Sequence, residues 1–274
     1  MVGPKLCAIP LILALAACGQ GLKAAAIAPA AAPAPAPPPA FTPVVENASA
    51  ATLAAAFQAA FGAPAPAILG FNPDSNGNSV QTSAANPDHT LQFAPTGLID
   101  LSPGVVALVS KGTGDATNYT CDACGGTASV DYLQRGPHGF TKLGHWIVHS
   151  GAMSFGESAP WTLRNDLDTV PMVVFTVDGG VQGCQSTFEN FVELTPAGPK
   201  EVGSAFIASS RQRQDGTFTA GDYQYVGALW APVKGQTLEV DYTGTATVRV
   251  VFTKGADGQF HPPGGGPQTN PPVC

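Results

Sequence analysis

The chain has 274 residues, with 12 Lys plus Arg against 19 Asp plus Glu for a net charge of −7, and it carries 32 Gly and 26 Pro. An acidic chain with no basic run is poorly suited to nucleic acid or to anionic lipid surfaces. Charged residues make up only 11% of the chain, about half the usual share, and the Gly and Pro content argues against a helical bundle and for short strands joined by tight turns.

The chain opens with one cation, Lys5, then an apolar run from Leu6 to Leu15 and the small residues Ala16 and Ala17. This is the pattern of a secretory leader over residues 1–17, with an apolar run too short to span a bilayer. Leu15-Ala16-Ala17-Cys18 resembles the lipobox of bacterial lipoproteins. The resemblance implies cleavage before Cys18, lipid on its sulfur and acylation of the new N-terminus. Gly19 stands where that family places Asp for retention in the inner membrane, which implies the outer membrane. Several acyl chains at ~0.8 kcal/mol per buried methylene anchor a protein stably. A membrane reached through the lipid is therefore the expected partner, in the bacterial envelope.

Residues 18–46 read as a spacer. From Ala24 to Pro43 the chain is nearly all Ala and Pro, which has little to bury and favours an extended polyproline-type form. At ~3.1 Å per residue, positions 28–43 would reach about 50 Å. The sharper alternative is a Pro-rich ligand for a partner groove, a role that Ala-Pro repeats fill poorly.

A helix is expected over Ser49–Phe61, where Leu53, Phe57 and Phe61 recur at every fourth residue. Asn47 or Ser49 can cap its start, and Gly62 with Pro64 stops it. With no Lys or Arg to meet lipid headgroups, the stripe is expected to dock on a core. Beyond residue 88 the pattern changes to β-type runs over 90–93, 104–110, 128–134, 140–149, 172–177, 188–194, 201–209, 223–230, 237–242 and 246–253. The expected fold is a single mostly β domain over 47–260, built of short antiparallel strands in a sandwich- or propeller-like array. Residues 261–274 form a Pro/Gly-rich tail ending in Cys274.

A weak internal echo runs through this region. Val105–Val109 leads through Cys124 to Tyr132 and the turn at Gly136-Pro137, while Met172–Phe175 leads through Cys184 to Leu194 and the turn at Gly198-Pro199. The offset is about sixty residues, and a true duplication would give paired three-stranded meanders.

Cys121, Cys124, Cys184 and Cys274 remain beside Cys18 in the exported part, and an even count there reads first as two disulfides. Of the three possible pairings, Cys121 with Cys124 and Cys184 with Cys274 is preferred, because a terminal cysteine needs a tether. The second bridge would close about ninety residues, worth ~4 to 5 kcal/mol in the chain-entropy view.

Other chemistry is weaker. Cys121-Asp122-Ala123-Cys124 has the spacing of thiol–disulfide oxidoreductases, but an acid lies between the thiols and a strand follows where a helix is wanted. Cys121, Cys124, His145 and His149 have zinc-ligand types. On a strand, however, the two histidines would lie about 13 Å apart. Asp74-Ser75-Asn76-Gly77-Asn78 has the composition of a calcium loop with its glycine misplaced and no closing acid at Ala85, so it reads as a turn. Ser154 sits one residue short of a Gly-x-Ser-x-Gly elbow, without the helix that should follow. No paired carboxylates stand out. Trp146, Trp161 and Trp230, with Phe140 and Phe155, suit a core or the wall of a ligand groove. The expected function is a non-enzymatic binding or structural role in the envelope, with no cofactor and no metal. The alternative is an envelope enzyme, either a CxxC oxidoreductase or a serine hydrolase.

Overall fold

Alternating apolar and polar residues fold into fifteen strands and one helix in the computed structural model, which describes residues 41–73, 79–82, 89–114, 126–148, 156–181, 183–211, 221–264 and 271. The first sheet holds β1 (Val44–Val45), β2 (Ala67–Pro73), β3 (Ser79–Thr82), β4 (His89–Ser102), β5 (Val105–Gly114), β6 (Thr127–Gly136) and β7 (Gly139–Val148). Its order is β3-β2-β4-β5-β6-β7, with β1 beside the second half of β4. The second sheet runs in plain sequence through β8 (Trp161–Arg164), β9 (Met172–Val181), β10 (Cys184–Thr195), β11 (Gly198–Arg211), β12 (Tyr223–Val233), β13 (Thr237–Gly244), β14 (Val248–Lys254) and β15 (Phe260–His261). The fold is mostly β and antiparallel, with one short helix. All ten strands read from the sequence are present. Those not read were β1, β2, β3, β8 and β15. Gly70 and Pro73 interrupt the β pattern of β2, and the others are four residues or fewer.

Helix α1 (Ala50–Phe61) begins where Ser49 Oγ accepts the Thr52 amide at 3.1 Å. It ends where Gly62 turns left-handed at φ 70° and donates its N–H to Gln58, a conformation that costs glycine least. Phe57 is fully buried against the first sheet, and Leu53 and Phe61 pack beside it half-buried. Ala56 and Ala60 complete the contact face. Removing these side chains from water drives the docking, at roughly 25 cal/mol per Å² of apolar surface.

Each strand sends alternate residues to opposite faces, so the first sheet serves two cores. One face, with Phe93, Leu108 and Leu133, meets α1. The other, with Val109, Val130 and Tyr132, meets Phe175, Val177 and Val192 of the second sheet. The second sheet then curls over its own far face, burying Phe191, Val202, Tyr242 and Phe252 together. Closure brings β15 back to β11, where Gln259 Nε2 donates to the Glu201 carbonyl at 2.7 Å. Gly203 lies close against the Phe260 backbone.

The sequence echo has a structural counterpart. β5-β6-β7 and β9-β10-β11 are both antiparallel meanders that pack face to face. Their last hairpins both close in two residues, pairing Gly136 with Gly139 and Thr195 with Gly198. A register shift precedes each turn, at Tyr132/Leu133 and at Phe191/Val192.

Candidate functional site

Where these two hairpins meet, the inter-sheet core opens into a groove of about 480 Å³. Leu101, Ser102 and Val105 come from the β4–β5 turn, and Tyr132, Leu143 and Trp146 from β6 and β7. Thr169, Val170 and Pro171 come from the β8–β9 loop, and Leu194 to Ala197 from the β10–β11 turn. No lining residue carries a charge.

The walls are fixed before any ligand arrives. Trp146 lies between Gly144 and Gly198. A Cβ on Gly198 would stand 2.7 Å from the indole, so glycine is required for the ring to lie there. Gly198 also holds φ 132°, which side chains rarely adopt. Tyr132 packs on Trp146 at 5.1 Å between ring centres and donates its hydroxyl to the Thr195 carbonyl at 2.9 Å. That bond ties the first sheet to the second. Burial pushes the Tyr132 phenol above its ordinary range, so it stays a donor. Leu143 stands 56% exposed at the mouth.

A buried charge cluster underlies one lip. Lys254 Nζ donates to Asp168 Oδ2 at 2.9 Å and to Glu193 Oε1. The two carboxylate side chains are only 2% and 7% exposed. Asp168 Oδ1 also accepts the amides of Thr169 and Val170, at 2.5 and 3.4 Å. Burial pushes Glu193 above the usual carboxylate range, outweighing Lys254. Burial would raise Asp168 as well, but the bonds to Lys254 and Glu193 and the Thr169 amide hold it below the usual range. Desolvation opposes the Lys254 charge, and the two carboxylates more than restore it, so its pKa is raised.

No paired carboxylates stand out in the sequence, yet Asp168 and Glu193 meet on one ammonium. The available signal was an acid in the inward phase of a strand, since Phe191 and Glu193 alternate with Val192 and Leu194. Asp131 is a second case. Fully buried on β6, it accepts Ser129 Oγ at 2.9 Å and pairs with His145 Nδ1 at 2.6 Å. This Ser-Asp-His order puts the acid between the other two, unlike the serine–imidazole–acid order of a nucleophilic triad.

Of the zinc candidates, only His145 is described, and it is engaged with Asp131. Cys121, Cys124 and His149 lie outside the described residues, as do Cys18, Cys274, Ser154, Phe155, the Asp74–Asn78 stretch and the leader. Among the described residues, no group of three or more His, Cys, Asp or Glu side chains is placed to hold a metal ion. Cys184 opens β10, with its sulfur 3.7 Å from the Tyr223 hydroxyl. The tryptophans have three separate placements. Trp146 walls the groove. Trp161 braces the sheets through Thr96 at 2.8 Å. Trp230 lies on the outer face beside Asp241 and Arg249. Phe140 packs on the helix side of the first sheet.

No known protein family, no curated protein and no solved structure matches this chain. Among the described residues, no helix is long and apolar enough to cross a membrane.

Proposed function

We propose that this is a lipid-anchored bacterial envelope protein with a non-enzymatic binding role, in which the inter-sheet groove takes a small, neutral, largely apolar molecule. The observation that carries the binding role is the uncharged groove, preformed around Trp146 and Tyr132. Its volume falls within the range of about 300–1,000 Å³ common for small-molecule sites. Ser102 and Thr169 line it, and the Thr169 hydroxyl, which donates to Asp168 Oδ1 at 3.1 Å, keeps its oxygen as an acceptor that would help orient a ligand. The anchor and its outer-membrane address rest on the Leu15-Ala16-Ala17-Cys18 motif and Gly19. Export is supported by the even count of Cys121, Cys124, Cys184 and Cys274 beyond Cys18, which suits two disulfides in an oxidising compartment. In this reading Cys184 pairs with Cys274.

Mass spectrometry of protein purified from membranes tests this reading. The expected result is a chain beginning at lipid-bearing Cys18, with Cys121 joined to Cys124 and a neutral molecule retained under native conditions. An unlipidated N-terminus at another residue overturns the anchor. Free thiols at Cys121 and Cys124 overturn that bridge.

A further inference from the structure

We propose that Asp168, Glu193 and Lys254 form a pH-sensitive latch on the groove, drawing the β8–β9 loop tight when Glu193 takes up a proton and loosening it when Glu193 ionises. The inference deepens the binding reading above and rests on it for its consequence, though not for its test. Three elements supply the cluster: the loop before β9, β10 and the end of β14. The same carboxylate that meets Lys254 also holds the amides of Thr169 and Val170, which line the groove. Leu194, next to Glu193, lines it too. A change in the cluster's charge is thus one covalent step from the ligand wall on two sides.

The charge balance sets the direction. With both carboxylates ionised, two negative charges share one ammonium in a site nearly closed to water, and the uncompensated charge is costly. The other charged groups nearby do not cancel it. Lys200, opposite Glu193 on β11, is exposed and donates to the Asp257 carbonyl at 3.2 Å. On the loop itself, Asp166 is paired with Arg164, and Lys234 donates to the Asn165 carbonyl at 2.9 Å. Met172, the other cross-strand neighbour of Glu193, is neutral. Protonating Glu193 leaves a neutral Lys254–Asp168 pair with its loop contacts intact. Because the folded protein favours the protonated form more than the opened chain does, closure strengthens as pH falls from neutral through the Glu193 titration. Asp168, held low, stays ionised through that window.

Amide exchange of the full-length, ligand-free protein tests the latch from about pH 8 down to about pH 5. After correction for intrinsic exchange, protection at Val170 should rise by roughly tenfold per unit separating the Glu193 pKa values of the closed and opened loop. Glu193→Gln should hold protection high and flat. A flat wild-type profile, or a Glu193→Gln profile identical to a titrating wild type, overturns the latch. A parallel titration with the neutral fluorophore N-phenyl-1-naphthylamine separates the two ideas. Titrating exchange without probe binding removes the groove reading and leaves the latch. Probe binding at constant affinity with flat exchange does the reverse.

Discussion

Among the described residues, buried acids lie in two places, and the two are built in opposite ways. Beneath α1, Asp131 and His145 stand directly opposite each other on adjacent strands, so the sheet ladder itself sets their separation. Phe61 closes over His145 edge-on at 5.4 Å. At the groove, Asp168, Glu193 and Lys254 are brought together from three distant parts of the chain, and one of them sits on a loop. The first pair is fixed by regular structure and supports a packed helix. The second joins Glu193 and Lys254, on strands, to Asp168 on a loop, and borders a ligand wall. A pair set by one ladder is scaffold, whereas a cluster that ties a loop to the sheet can respond to its surroundings.

The largest expected effect breaks the scaffold side. Asp131→Ala removes the buried acceptor of the Ser129 hydroxyl and the carboxylate opposite His145, and should cost about 3 kcal/mol in urea unfolding. Probe binding at the groove should survive in the fraction that remains folded. A loss below about 1 kcal/mol would mean that water replaces the carboxylate.

Next comes the groove wall. Gly198→Ala forces a side chain into a left-handed backbone and against the Trp146 ring, at about 1–3 kcal/mol. It should also shift Trp emission, a change that Asp131→Ala should not produce. The smallest effect is Tyr132→Phe, which removes the inter-sheet hydrogen bond to Thr195 at about 1 kcal/mol. Thermal unfolding can measure it, and its cost should not change with pH between about 5 and 8, because the phenol stays protonated throughout.

These two regions were unequally legible in the sequence. The helix was readable because Leu53, Phe57 and Phe61 recur at helical spacing between a serine cap and a glycine stop. The meanders were readable because the runs through Tyr132-Leu133 and Glu193-Leu194 lead into the Gly136-Pro137 and Gly198-Pro199 pairs. Trp146 was already a candidate groove residue, although composition could not distinguish wall from core. The charge cluster was hidden because its members lie at positions 168, 193 and 254, and only the curl of the second sheet brings them together. Spacing rules work within an element or across one turn, and this contact spans the whole sheet.

The central claim is that the groove beside Trp146 binds a neutral apolar molecule, and an equilibrium titration with N-phenyl-1-naphthylamine tests it most directly. Leu143→Asp is the decisive variant, because Leu143 is already exposed at the mouth and its loss should leave the fold intact. The predicted result is saturable one-site binding with energy transfer from Trp146, weakened about tenfold, or ~1.4 kcal/mol, in the variant. Non-saturable binding in the wild type, or equal affinity in Leu143→Asp, would contradict the account.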